Sequence, residues 1–183
     1  EVNREVLSAR AEDLQGEVER RCGLVENFLR SKEIGEIDAV VGRGGFLQRP
    51  PGKLSGGTYL VAEPEGDTVR VEQDIVDGVT RHAEMDHASN LGIPMATRFA
   101  RQFRVPAYTV DPVVVDEFSD VAELSGYAPI TRKSTSHALS IRAALHRYAA
   151  ESGRETEEIN IVVGHLGGGI TIAAVRDGRM VDN

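Results

Sequence analysis

Two glycine-rich motifs in this sequence have residue types that suit the binding of an anion. HLGGG, at residues 165–169, follows a β-branched run, and VVGRGG, at 40–45, places Arg43 between glycines at the end of a predicted buried strand. Glycine lets backbone N–H groups face a phosphate with no Cβ in the way. Arginine offers a planar fork of donors to carboxylate or phosphoryl oxygens. The two motifs therefore favour a site for a phosphate or carboxylate group.

Each of these motifs also has a purely structural interpretation. The glycines of HLGGG could form a tight hairpin turn or a bulge, and from the glycines alone this interpretation and phosphate binding are equally good. Arg43 could be an ordinary surface arginine in a flexible loop. Its position favours a functional role, because ligands of open α/β sheets gather beyond the carboxyl ends of the strands.

Three further motifs place polar side chains at the ends of predicted elements. Asp111, in TVDP, could ligate Mg²⁺, orient an arginine or close its own turn. His87 and Asn90, in DHASN, could donate to a developing negative charge and position a ligand, or the stretch could cap a helix at Ser89 or Asn90. RKSTSH, at 132–137, suits an anion at a helix start, and a simple cap explains it equally well. Taken together, the five motifs describe what phosphoryl transfer to or from an anion requires.

Several function classes are excluded by the composition and by missing motifs. The sequence has no HExxH or CxxC spacing, no GxSxG elbow and no GK[ST] ending after HLGGG. Its formal charge of -8 offers no basic surface to nucleic acid. No apolar run approaches the ~20 residues of a membrane span. A single cysteine, Cys22, cannot form an internal disulfide. We therefore expect a cytoplasmic protein that binds small molecules, with no nucleic-acid or membrane partner.

The hydrophobic pattern predicts strands that alternate with helices, which is typical of an α/β layered fold. The predicted helices span residues 4–31, 69–81, 91–104 and 134–152, the last with an N-cap at Ser134 or Thr135 and a stop at Gly153. The predicted strands span 37–42, 58–63 at a sheet edge, and 107–110, and a hairpin with a third short strand occupies about 160–183. No linker interrupts this pattern, so residues 1–183 are expected to form a single unit.

An ordered set of motifs resembles the butyrate kinases, the short-chain acyl branch of the acetokinase family. VVGRGG, DHASNLG, VDPVVVDEF, LSGYAPITRKSTSHAL and HLGGGIT…GRMVDN carry the resemblance, which runs from about Asp38 to the end of the chain. The resemblance implies a ribonuclease H-like lobe of the sugar kinase, Hsp70 and actin superfamily, with a mixed sheet flanked by helices. It further implies that the chain is most of the N-terminal lobe of a two-lobe kinase, lacking the extreme N-terminus and the C-terminal lobe.

The activity that this resemblance implies is the transfer of a phosphoryl group between ATP and butanoate, with Mg²⁺, giving butanoyl phosphate and ADP. The parent protein is expected to be active and homo-oligomeric, and the isolated segment to be inactive. Acetate, propionate or a branched-chain acid is an alternative substrate. A different alternative is a non-catalytic module for acyl or phosphate binding or for assembly.

The resemblance also implies roles for individual residues. Arg43, Asp111 and His137 match catalytic positions, and Asp111 is also the candidate Mg²⁺ ligand. The acceptor-side motif positions are His87, Asn90, Gly44 and Gly45, and the second phosphate-binding turn comprises His165, Gly167, Gly168 and Gly169. One departure separates this chain from the acetate kinases, because Lys133 stands where their FHGTSH motif has its first histidine. The role of that histidine is not transferable.

Overall fold

A computed structural model describes residues 14–45, 52–76 and 88–183. The chain folds into two compact units, the first made of residues 1–45 and 59–109 and the second of residues 46–58 and 110–183. The sequence pattern predicted one unit over residues 1–183. That these residues together make up most of one kinase lobe stays a prediction.

The first unit contains two described α-helices and a four-stranded sheet. The helices are α1 (Leu14–Ser31) and α2 (Gly92–Phe103), and the strands are β1 (Val40–Arg43), β2 (Thr58–Glu65), β3 (Thr68–Val71) and β4 (Ala107–Val110). The strand order is β1-β4-β2-β3. Helix α1 runs unbroken through Gly16 and Gly23, because its apolar stripe packs Val18 and Cys22 against Phe99 of α2.

Cys22 is a small core residue of the first unit. Its side chain is fully buried among the apolar residues of α1 and α2. Burial raises the pKa of the Cys22 thiol, which disfavours the reactive thiolate. None of the helices in the described ranges is long and apolar enough to cross a membrane.

Two predictions for the first unit are wrong. The strand predicted at 58–63 is not at an edge, because β2 lies between β4 and β3. The helix predicted at 69–81 begins too early, since residues 68–71 form β3 and pair antiparallel with β2. The missed signal is the turn at Gly66, whose φ of 59° belongs to the left-handed region that favours glycine. Helical backbone follows at 73–76, where this described range ends.

The second unit packs one α-helix on an antiparallel three-stranded meander. Its elements are α3 (Ala138–Ser152), β5 (Ile161–Leu166), β6 (Ile170–Arg176) and β7 (Arg179–Asp182). The strands pair in the order β5-β6-β7, which confirms the predicted hairpin and the third short strand. The core of this unit consists of apolar residues from all of these elements and their flanks: Val115, Ala138, Ile141, Leu145, Ala149, Ile159, Ala173, Val175 and Met180.

Helix α3 begins later than the sequence predicted. It starts at Ala138, so neither Ser134 nor Thr135 is its N-cap, and His137 holds that position without a side-chain cap. Residues 134–136 are tied instead to other segments, because the Ser134 N–H donates to Asp116 Oδ2 at 3.2 Å and the Ser136 N–H donates to the Val113 carbonyl at 3.1 Å. The predicted stop is confirmed, since Gly153 closes the helix in a left-handed conformation.

Candidate active site

Arg43 is the last residue of β1, and close backbone packing fixes the turn that follows it. A Cβ added to Gly92, at the start of α2, would lie 2.0 Å from the Arg43 carbonyl oxygen. A Cβ added to Gly42 would lie 2.4 Å from the Gly92 carbonyl oxygen. The strand end and the helix start therefore touch through backbone alone, while the Arg43 side chain is exposed. No ion pair joins it to another described residue.

Gly45, two residues after Arg43, packs against the short 3-10 turn Ala88–Leu91. A Cβ on Gly45 would lie 2.3 Å from Asn90 Oδ1, and the Asn90 side chain is almost fully buried. Asn90 therefore supports the turn that carries Arg43, Gly44 and Gly45. The capping alternative is wrong for α2, because its N-cap is Leu91 and no side chain caps it.

We expect Gly92→Ala to destabilise the protein by roughly 3 kcal/mol, the upper range for overpacking, because the new methyl group meets a backbone carbonyl that cannot rotate away. The matched control is Gly23→Ala in α1, where no atom lies within 4 Å of the added Cβ. Because Gly23→Ala replaces a glycine inside a helix, it should raise the free energy of unfolding by about 0.5–1 kcal/mol. Urea unfolding midpoints measure both. Equal midpoints for the two variants would contradict the packing argument.

In the second unit, Asp111 lies in a buried network of charges. Its φ of 41° is left-handed, and its Oδ1 accepts the Gly57 N–H at 2.8 Å and lies 3.2 Å from Arg142 Nε. Arg142 Nη2 donates to Glu117 Oε1 at 2.5 Å. Glu117 also accepts the N–H groups of Gly56 and Met180 at 3.0 Å each. One arginine of α3 is thus held by two carboxylates, and both carboxylates bind backbone N–H groups.

These contacts bear on the three roles that the sequence left open for Asp111. Burial raises the pKa of the Asp111 carboxyl, and the Gly57 N–H and the Arg142 guanidinium offset part of that rise. A divalent cation bound at Oδ1 would face the guanidinium at close range, and like charges repel. Among the described residues no group of three or more His, Cys, Asp or Glu side chains could hold a metal. The surroundings of Asp111 favour the arginine-orienting and turn roles, and they do not fit a direct metal ligand.

His137 and His165 lie together beside the three glycines. Their rings stack with centroids 3.9 Å apart and planes 14° from parallel. A Cβ on Gly169 would lie 3.0 Å from His137 Cε1, and one on Gly167 would lie 3.5 Å from His165 Nε2. The Gly167 N–H donates to the Gly169 carbonyl at 3.1 Å, which closes the turn between β5 and β6.

The conformation of this turn separates the two interpretations of the glycines. None of the three has a φ in the left-handed region, so the backbone does not require glycine there. Gly169 is held by contact with His137, but an added Cβ on Gly168 would meet no atom within 4 Å. The protein's own packing therefore gives no reason for glycine at 168, whereas close approach of a ligand does.

The structure brings the predicted site residues together in two groups. Arg43, Gly44, Gly45 and Asn90 belong to the first unit, and Asp111, His137, His165 and Gly167–Gly169 belong to the second. His87 lies outside the described residues. Three residues of these networks that were not predicted from the sequence are Glu117, Arg142 and Thr171. For Arg142 there was a signal, because it stands four residues after Ala138 on the apolar stripe of α3, where a charge needs a partner.

Comparison with known proteins gives relatives over most of the chain. The chain is 43% identical over 150 residues to "Probable butyrate kinase" of Listeria monocytogenes, which covers 82% of this chain and 38% of the relative. It is 40% identical over 194 residues to "Butyrate kinase 2" of Clostridium acetobutylicum, which covers 100% of this chain and 51% of the relative. No model of a protein family matches.

A solved structure supports the fold. Acetate kinase of Porphyromonas gingivalis superposes with a TM-score of 0.61 at 17% identity, covering 88% of this chain and 41% of that one. The expected α/β fold, with a mixed sheet flanked by helices, is confirmed by this likeness. The chain spans about half the length of the curated relatives or less. By sequence, it is a homologue of the butyrate kinases and corresponds to part of such a protein.

Proposed function

We propose that the full-length protein is a short-chain carboxylate kinase that transfers a phosphoryl group between ATP and butanoate, giving ADP and butanoyl phosphate. The observation that carries the proposal is the β5–β6 turn, in which Gly168 is a glycine that neither backbone conformation nor packing requires. The 40% and 43% identities to proteins named butyrate kinase support the same activity. ATP enters as its Mg²⁺ complex, and the protein acts in the cytoplasm as a homo-oligomer.

The main obstacle to this reaction is charge, because a carboxylate has to attack a polyphosphate. In the proposed mechanism the Arg43 guanidinium neutralises charge on the butanoate carboxylate and on the transferred phosphoryl oxygens. Its exposure at the end of β1 makes it available to such an anion. The Gly167 N–H is taken by the Gly169 carbonyl, so the remaining backbone N–H groups of the Gly167–Gly169 turn bind the nucleotide phosphates.

No general base is needed in this mechanism. The acceptor carboxylate is already ionised at neutral pH, since carboxyl groups of this kind have pKa values of ~4 to 5. His137 and His165 instead serve as hydrogen-bond donors beside the glycine turn. Asp111 acts through the arginine and the turn that it contacts, with no metal ion bound directly to it.

Gly168→Ala tests the phosphate-binding role of the turn. Since the added methyl group meets no protein atom, we expect the free energy of unfolding to be unchanged. We expect KM for ATP to rise about tenfold in a coupled assay of ADP release with butanoate, the effect of weakening roughly one hydrogen bond to a charged phosphate. The control is Gly126→Ala, also exposed and without atoms near the added Cβ, which should leave both quantities unchanged. A wild-type KM for ATP in Gly168→Ala would refute the assignment.

The same assay distinguishes the alternatives. Assays in which acetate, propionate or a branched-chain acid competes with butanoate identify the preferred acid. Direct competition is needed because pocket size discriminates single methylene groups only modestly. If the full-length protein releases no ADP with any of these acids yet still binds one, the non-catalytic binding module replaces the kinase.

A further inference from the structure

Thr171, on β6, contacts His137, which is the N-cap residue of α3. Its Oγ1 lies 2.8 Å from His137 Nδ1, and the His137 backbone N–H donates to the same oxygen at an N···O distance of 3.4 Å. The side chain is buried, with 8% of its surface exposed. Thr171 alternates along the strand with the exposed Ile170 and Ile172, so it faces the helix and not the solvent.

The proton of this hydroxyl decides which nitrogen of His137 carries hydrogen. A threonine hydroxyl has a single proton to donate, and a buried donor without an acceptor is costly. Within the described part of the chain, the hydrogen bonds of Thr171 Oγ1 go only to His137. Because the backbone N–H of His137 is itself a donor, the one acceptor available to the hydroxyl proton is Nδ1. An Nδ1 atom that accepts a hydrogen bond cannot carry a proton in the neutral ring, so the proton is on Nε2.

The edge of the ring that carries Nε2 faces the glycine turn. A Cβ added to Gly169 would lie 3.0 Å from His137 Cε1 and 3.3 Å from Nε2. On the ring's flat side, the stacked His165 restrains rotation of the imidazole plane. A neutral imidazole held in this way presents an N–H group at a fixed place beside the turn.

We propose that Thr171 is a positioning residue that holds neutral His137 in the Nε2–H form, so that this N–H donates to an oxyanion at the Gly167–Gly169 turn. The identity of that oxyanion as a nucleotide phosphate rests on the proposed function. The tautomer does not, because it follows from contacts within the protein. A neutral donor of this kind works throughout the pH range in which histidine is uncharged, and it adds no positive charge that would hold ADP back.

The test is the nitrogen NMR spectrum of the histidine rings in the full-length protein, labelled with ¹⁵N-histidine and measured at about pH 8, well above the ordinary histidine pKa of ~6.5. The His137 resonances are those that His137→Gln removes. We expect Nδ1 to show the shift of an unprotonated nitrogen and Nε2 that of a protonated one. A protonated Nδ1 in the wild-type protein would overturn the proposal.

Two variants test whether Thr171 is the cause. Thr171→Val keeps the shape and removes the hydroxyl, so protonated Nδ1 should become populated and kcat/KM should fall about tenfold, the effect of losing roughly one oriented hydrogen bond. Thr171→Ser keeps the hydroxyl and should retain the wild-type tautomer and kcat/KM within about twofold. If Thr171→Val keeps the wild-type spectrum, Thr171 does not set the tautomer. If the wild-type protein shows the expected spectrum but has no kinase activity, the proposed function is contradicted. The tautomer assignment then still stands.

Discussion

Replacing Arg43 with alanine in the full-length protein is expected to lower kcat/KM for butanoate about 1000-fold, as the removal of a charged group that stabilises a phosphoryl-transfer transition state does. The reason is that the butanoate carboxylate has to approach the phosphates of ATP, and their negative charges are left uncompensated when the guanidinium is lost. The Arg43 side chain is exposed, so the stability of the fold should hardly change. Coupled ADP release measures the rate, and urea unfolding measures the stability.

Two further variants, both with substitutions in the first unit, serve as controls for this experiment. Arg43→Lys keeps the charge but loses the planar fork, so its kcat/KM should lie between those of the wild-type protein and Arg43→Ala. Arg101→Ala removes another exposed arginine, from the last turn of α2, and should leave kcat/KM unchanged. Wild-type turnover of butanoate by Arg43→Ala would show that the central role assigned to Arg43 is wrong.

The second large effect is expected on stability, from Arg142→Met. Methionine fills a similar volume but leaves Asp111 and Glu117 buried without their cation. Breaking a buried ion pair in this way costs about 3–5 kcal/mol. The control lies on the same helix, where Arg147 pairs with Glu151 and both side chains are mostly exposed. Arg147→Met should cost no more than about 0.5 kcal/mol.

The destabilisation in Arg142→Met should depend on pH with a definite sign. Burial already raises the pKa of the Asp111 carboxyl, and loss of the guanidinium removes a contact that lowers it. A carboxyl whose pKa is higher in the folded than in the unfolded state stabilises the fold most when protonated, and this contribution is lost as pH rises through the folded pKa. The difference in unfolding free energy from wild type should therefore be smaller at pH 5 than at pH 7. A difference that grows on acidification would contradict the buried-charge explanation.

The sequence predicted the elements of this chain well where a local signal determined the structure. Strand β4 has the predicted bounds of 107–110, and the β5–β6 hairpin and the Gly153 stop are as expected. The predictions failed where a distant segment decided the structure. Residues 134–136 have good capping side chains, yet contacts with Asp116 and Val113 keep them out of α3.

The candidate site was predictable to a similar extent. Arg43 and the glycine turn are visible in the sequence because an arginine between glycines and a run of three glycines follow predicted strands directly. Pairings such as Arg142 with Glu117, 25 residues apart, and His137 with Thr171, 34 residues apart, depend on how helix α3 packs against β6 and against the segment that contains Glu117. No spacing rule along the chain encodes such contacts, so only the three-dimensional structure could reveal them.

The alternation of side chains along β6 gives strand pairing a chemical consequence. Thr171 and Ala173 face the core, while Ile170 and Ile172 are 70% and 53% exposed. Because side chains alternate with a period of two, sliding β6 by one residue would place an isoleucine against His137 Nδ1. That imidazole would then be free to exchange its two neutral forms. The irregularity in the β6–β7 pairing, between Ala174 and Val175, lies beyond this stretch and leaves the alternation at Thr171 intact. In this hairpin, strand register determines where a single hydrogen atom sits.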